Sequence, residues 1–233
     1  LEMSAKQVNF ETAFNFAIDR LKGNPKALIS WGVANLLLLI AVMIPLIIAL
    51  VIFDFVVAKI HHSLVLLSYP LELIITPLLA AILFGSLLPP LFNILAQDEK
   101  GGLSEFFVEV KKQGLFFKMA IGVFISYFFI TLGFFLCIIP GIVILPTLLI
   151  VAYLIWKGED SITAVKKAFK ILIDNPLACL YILVFMFLSG IGALLCLVGV
   201  VATAPAGYAG AWHLVRQLVE GEAEAAQATE IKQ

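Results

Sequence analysis

Charge is what this sequence has least of. Asp, Glu, Lys and Arg make up 13% of its 233 residues, roughly half the quarter usual in soluble domains. The chain is 62% apolar, against about 45–50% for an ordinary domain, and its mean hydropathy is +1.09. A soluble fold of this size has too little interior to hide that much apolar surface, so the solvent must be lipid. The same shortage of charge excludes a disordered chain. A net charge of −1 supplies no field that would gather nucleic acid. Cysteine is scarce as well. Cys137, Cys179 and Cys196 are an odd set, which excludes a disulfide framework, and each sits in or beside an apolar run, where free Cys acts as a small hydrophobe. No H-E-x-x-H, G-x-S-x-G, P-loop or dinucleotide glycine pattern occurs, so no catalytic residue, cofactor or metal site is expected.

Long apolar runs are what the chain does have. Leu1-Glu2 ahead of Met3 has the look of a cloning remnant, and because the first apolar run starts only near Leu28, after a charged amphipathic stretch, no cleavable signal is expected. A hydrocarbon core of ~30 Å needs about 20 helical residues. Runs of that kind occur at 28–53, 71–95, 115–136, 141–156, 177–197 and 200–218. The fourth is short, and the second either starts at Leu71 or extends back to Ser63. Pro70 favours the later start, with 63–70 as an outer interfacial piece, because proline fits a helix start and not its interior.

Orientation follows from the basic residues, which concentrate on the cytoplasmic side. Lys6, Arg20, Lys22 and Lys26 precede the first span, and Lys100, Lys111, Lys112 and Lys118 join the second to the third. Lys157, Lys166, Lys167 and Lys170 join the fourth to the fifth, with Arg216 and Lys232 near the C-terminus and only Lys59 on the opposite side. Both termini are therefore expected in the cytoplasm. Trp31, Trp156 and Trp212 fall at the same ends of their spans, where an indole suits the headgroup level. Cys137-Ile-Ile-Pro140-Gly141 and Cys196-Leu-Val-Gly199 read as tight outer turns.

Self-similarity appears twice. Ala13, Ala17, Leu21 and Asn24-Pro25 recur as Ala164, Ala168, Leu172 and Asn175-Pro176, and Gly133, Cys137, Pro146 and Tyr153 recur as Gly192, Cys196, Pro205 and Trp212. Each unit reads as amphipathic helix, span out, tight turn, span in, giving units of about 4–95, 101–156 and 160–218 and a short polar tail at 219–233. Such units share one topology and can pack about an axis normal to the membrane. The expected fold is thus an all-α polytopic membrane protein, one integral domain, with six transmembrane helices, three cytoplasmic amphipathic helices and tandem same-topology repeats. Chance coincidence of small residues and prolines is the competing account.

The amphipathic stretches carry the second signal. Over 161–174 the apolar positions Ile162, Val165, Ala168, Phe169 and Leu172 oppose Lys166, Lys167 and Lys170, with Asp160 or Ser161 as cap. Phe10, Phe14, Ala17, Ile18 and Leu21 make the N-terminal counterpart, and Leu103, Phe106, Phe107 and Val110 a shorter one. Lys111, Lys112, Lys166, Lys167 and Lys170 are candidate lipid-headgroup contacts. The stretches are alternatively elbows that only hold span ends at the interface. Near-balanced local charge, four basic and three acidic groups over 1–27 and the same over 157–176, favours elbows over a polybasic trap.

The order Pro140-Gly141, then Ser161…Ala164…Ala168…Leu172…Asn175-Pro176, then Pro205…Tyr208 resembles the YciC-like group of bacterial inner-membrane proteins. It is also similar to the membrane domain beside some bacterial glycerophosphodiester phosphodiesterases. The resemblance covers roughly residues 100–218 and departs from the family where Ala168-Phe169 stands in place of Ser-Trp. It implies a six-span bacterial inner-membrane protein and supplies no catalytic residues.

Within the spans, Glu72 with Thr76 one turn on is the candidate polar site: an outer-interface carboxylate if the span starts at Leu71, a proton or cation site if it starts at Ser63. His61-His62 point about 100° apart on a helix and chelate poorly. Asn35, Ser86, Asn93, Ser126, Thr131, Thr147, Ser189 and Thr203 are expected to bond between helices. Ala202, Ala206 and Gly210 form a small face for close helix packing, in this chain or against a second copy. Two functions remain. One is a non-enzymatic protein that organises or binds membrane lipids, a membrane protein partner or another copy of itself. The other is a carrier or channel for a small or amphiphilic solute, with its path near Glu72.

Overall fold

Helix breaks written into the sequence divide the chain. The computed structural model describes residues 9–60, 68–96, 108, 114–194 and 197–230. Among them the regular elements are all helices: α1 (Phe10–Gly23), α2 (Pro25–Ile60), α3 (Ser68–Ala96), α4 (Leu115–Leu136), α5 (Ile138–Ile144), α6 (Thr147–Trp156), α7 (Ser161–Asp174), α8 (Pro176–Leu194) and α9 (Leu197–Glu230). Three stretches, Ile74–Ala96, Leu115–Leu136 and Ile138–Trp156, are long and apolar enough to cross a membrane. The pair Ser161–Asp174 and Pro176–Ile191, bent by 108°, makes a fourth if taken as one span. The runs expected at 28–53 and 200–218 lie inside α2 and α9.

Two Asn-Pro elbows shape the bundle. Asparagine before proline leaves the helical region, and it does so almost identically twice: φ −135°, ψ 61° at Asn24 and φ −131°, ψ 58° at Asn175. The Asn24 N–H donates to the Arg20 carbonyl (3.1 Å) and the Asn175 N–H to that of Ile171 (2.8 Å). Both preceding helices span 14 residues. Both start on an extended cap whose side chain accepts an N–H two residues on, Glu11 to Asn9 at 2.9 Å and Ile162 to Asp160 at 3.2 Å. Each buries a matched alanine pair, Ala13 with Ala17 and Ala164 with Ala168.

The buried stripe of α7 is a correction. It runs through Ser161, Ala164, Val165, Ala168 and Ile171, while Ile162 is exposed and Phe169 and Leu172 are half-buried. Ile162, Phe169 and Ile173 form a separate strip between the buried face and the lysines, because this helix has three environments around it instead of two.

The turn after α4 is a second correction. The reversal comes at Cys137, extended at φ −170° and ψ 145°, and α5 has already begun at Ile138. Pro140 and Gly141 belong to the returning helix, where first-turn N–H groups have no intrahelical partner to lose. A Cβ on Gly133 would fall 2.9 Å from the Gly141 nitrogen, so glycine is what lets α4 and α5 cross this closely. The fourth run thus starts at Ile138 and is interrupted near Pro146 between α5 and α6.

α6 forms the centre. Every residue from Thr147 to Ile155 is buried, packed by α3, α4, α7 and α9. Gly122 of α4 makes room for Ile155. α8 and α9 form the tightest hairpin: Gly207 abuts Ser189, and Gly210 abuts the Phe185 ring. The periphery is apolar. Phe117, Phe135, Leu136, Ile138 and Ile139 are all exposed, as suits side chains that face lipid.

Candidate functional site

The elbow end of the bundle gathers aromatic rings. Phe16 of α1 stacks on Trp212 and His213 of α9, with centroids 5.6 and 4.5 Å away. Trp212 meets Tyr153 at 6.0 Å and Trp156 at 6.5 Å, and Phe92 closes against both at 6.3 and 6.1 Å. Trp156 Nε1–H donates to Asn93 Oδ1 (2.7 Å), and Trp31 Nε1–H donates to the Leu87 carbonyl (2.8 Å). This corrects the headgroup belt. Trp31 and Trp212 are buried and Trp156 half-buried, because interhelical contacts at this end hold their rings inside the bundle.

Cations border the cluster. Arg20 lies over Phe16 at 5.1 Å, Arg216 over Trp212 at 5.7 Å, and Lys157 over Tyr153 and Trp156 at 5.7 and 5.5 Å. Such contacts hold a charge beside an apolar surface without unpairing it. Glu220 joins two of the cations: its carboxylate accepts from the Tyr153 hydroxyl (3.1 Å), Lys157 Nζ (3.1 Å) and Arg216 Nε (3.0 Å). Partial burial works to raise its pKa, but the hydrogen bonds and charges of Arg216 and Lys157 outweigh this and hold it below the usual glutamate value. The helix continues past Leu218 to Glu230, so the segment read as a tail starts as part of α9.

A cavity of about 370 Å³ opens at the first elbow, within the range of small-molecule sites. Phe16, Asp19 and Arg20 of α1 line one side, Gly23 and Asn24 the bend, and Leu28 of α2 with Ile94 and Leu95 of α3 the floor. Polar and charged groups therefore face an apolar wall where the chain turns from one helix direction to the next.

The candidates from sequence scatter. Glu72 belongs to the N-terminal turns of α3, and Thr76 beyond it is exposed. Lys166, Lys167 and Lys170 are exposed on α7, with Lys167 paired to Glu159. Lys111, Lys112 and His61-His62 lie outside the described residues, as do Leu103, Phe106, Phe107 and Val110. Ala202 is exposed and Ala206 half-buried, while Gly210 is buried against Phe185 of this same chain. Of the polar span residues, Asn93 and Thr203 bond between helices, Thr203 to the Ser189 carbonyl at 3.1 Å. Ser86, Ser126, Thr131 and Thr147 instead bond carbonyls three or four residues back in the chain, the usual resort of a hydroxyl on a helix, while Ser189 bonds both the Met186 carbonyl of its own helix and the Tyr208 hydroxyl of α9.

Sequence reasoning missed the Asp19–Arg20 cavity and the Glu220 clasp. One signal was available for the clasp: Lys157 and Arg216 stand at the same 59-residue offset as Tyr153 and Trp212. Among the described residues no group of His, Cys, Asp and Glu is arranged to hold a metal ion. No protein-family model, curated protein or solved structure matches the chain.

Proposed function

We propose that this chain is a non-enzymatic integral protein of a bacterial inner membrane, with six spans and both termini cytoplasmic, that organises or binds lipid through its amphipathic elbows. The observation that carries this is the outer surface of α7. Ile162 and Ile173 are exposed there beside the exposed Lys166 and Lys170, on a helix set at 108° to α8. A helix lying across its span with apolar side chains beside lysines suits the boundary between acyl chains and headgroups. The matched caps, lengths, alanines and Asn-Pro angles of the two elbows support descent from a repeated unit. The resemblance to the YciC-like group supports the compartment and the six spans.

Mass spectrometry of the protein released from mild detergent tests the function. Stoichiometric phospholipid, or a second membrane polypeptide, supports an organising role. A bare protein, or one that carries a small polar solute, overturns it in favour of a carrier; Glu72→Gln would then abolish flux, whereas an organiser keeps its lipid in that variant. Cysteines placed at Lys59 and Lys111 test the topology, with label reaching the first from outside and the second from inside. Label reaching both from one face overturns the orientation.

A further inference from the structure

The geometry points to the first-elbow cavity as a binding site for the headgroup of a zwitterionic phospholipid, an ammonium joined to a phosphodiester, with Arg20 meeting the phosphate and Asp19 the ammonium. This rests on reading the chain as a lipid-binding membrane protein, and it names the lipid class and the place.

Three observations carry it. First, the cavity's charged lining is one cation and one anion on adjacent residues, Arg20 and Asp19. A purely anionic headgroup would gain from the guanidinium and lose to the carboxylate, whereas a zwitterion satisfies both. Second, an apolar, lipid-facing track starts on the residue after the cavity floor. Leu28 lines the cavity, and from the next residue Ile29, Val33 and Leu37 are exposed at four-residue spacing along α2. That spacing places them on one helix face, a track on which an acyl chain can lie while its headgroup sits at the bend. Third, the matched helix α7 carries none of this chemistry. Aligned on their Asn-Pro pairs, Lys170 stands where α1 has Asp19, and the buried Ile171 where it has Arg20. The shared frame does not require an Asp-Arg pair, so its presence at the first elbow calls for a separate reason.

The test is native mass spectrometry of the full chain in detergent with an equimolar mixture of phosphatidylethanolamine and phosphatidylglycerol. The wild type should retain phosphatidylethanolamine about tenfold over phosphatidylglycerol, as one charge-assisted contact allows. Arg20→Gln should remove this retention and Asp19→Asn should remove the preference. Gly23→Leu should block the site without disturbing the fold, since a Cβ on Gly23 meets nothing within 4 Å. Soluble glycerophosphoethanolamine, which lacks acyl chains, should bind at least about tenfold more weakly. Equal binding would reassign the cavity to a water-soluble phosphodiester and overturn the lipid. Equal retention of the two lipids by the wild type, or undiminished retention by both R20Q and G23L, overturns the site while leaving a lipid-organising protein. Retention of no lipid by any form overturns both.

Discussion

The two elbows are the same device with different contents. α1 and α7 share their length, their caps, their buried alanines and the backbone angles of their final asparagines. They differ on the face that looks back toward the bundle. The position three residues before the final Gly23 is Arg20 in α1, whereas the corresponding position before Asp174 is a fully packed isoleucine, Ile171, in α7. The frame is therefore set by alanines and Asn-Pro pairs, and the neighbouring positions are free to make either a packed joint or a polar cavity.

Exchanging those positions breaks the symmetry most strongly. Ile171→Arg places an unpaired guanidinium in a site only 3% exposed and should cost roughly 3 kcal/mol or more. Arg20→Ile trades a half-buried charge at a cavity edge for a hydrophobe and should stay within about 1 kcal/mol. Chemical denaturation in detergent measures both. Equal losses would mean that the two elbows are packed alike after all.

Where the frame is shared, the effects should match. Ala13→Leu and Ala164→Leu each force three carbons into positions with no exposed surface and should each destabilise by about 1–3 kcal/mol. A loss at one elbow alone would deny that both alanine pairs serve the same crossing. Below these in size come the caps. Asn9→Ala and Asp160→Ala each strand one N–H at a helix start and should cost about 1 kcal/mol, read as earlier unfolding of α1 or α7 by hydrogen exchange.

The frame was legible in the sequence and the contents were not. Asn24-Pro25 and Asn175-Pro176 announce their bends through local sterics, and Asp160 announces its cap, because each needs only its chain neighbours. The interior position of Trp31 and Trp212 left no such trace: an indole at a span end looks the same in sequence whether it faces headgroups or another helix. The stripe of α7 was displaced for a related reason. A two-sided reading sorts residues into apolar and polar, but Ile162 and Ala164 are both apolar and face different surroundings. The cavity joins Arg20 to Ile94 and Leu95, and no spacing rule connects residues that far apart.

The smallest effect concerns the second pair of matched positions. Lys157 and Arg216 both hold Glu220, whose carboxylate is depressed below its usual pKa. A carboxylate with a lowered folded pKa adds stability above its unfolded value, about 4.3 for glutamate, and that increment vanishes as pH falls through the folded value. The wild type should therefore lose stability relative to Glu220→Gln as pH drops below about 4.3, with the gap between them constant from there to neutrality. Because the side chain is 37% exposed, solvent and salt screen the clasp, and the gap should stay under about 1 kcal/mol and shrink at high salt. Matched pH titrations of stability for the two proteins isolate it from every other carboxylate. A gap that persists unchanged into acid would mean that Glu220 holds α6 to α9 by packing and by its bond to Tyr153, and that its ion pairs with Lys157 and Arg216 add no stability.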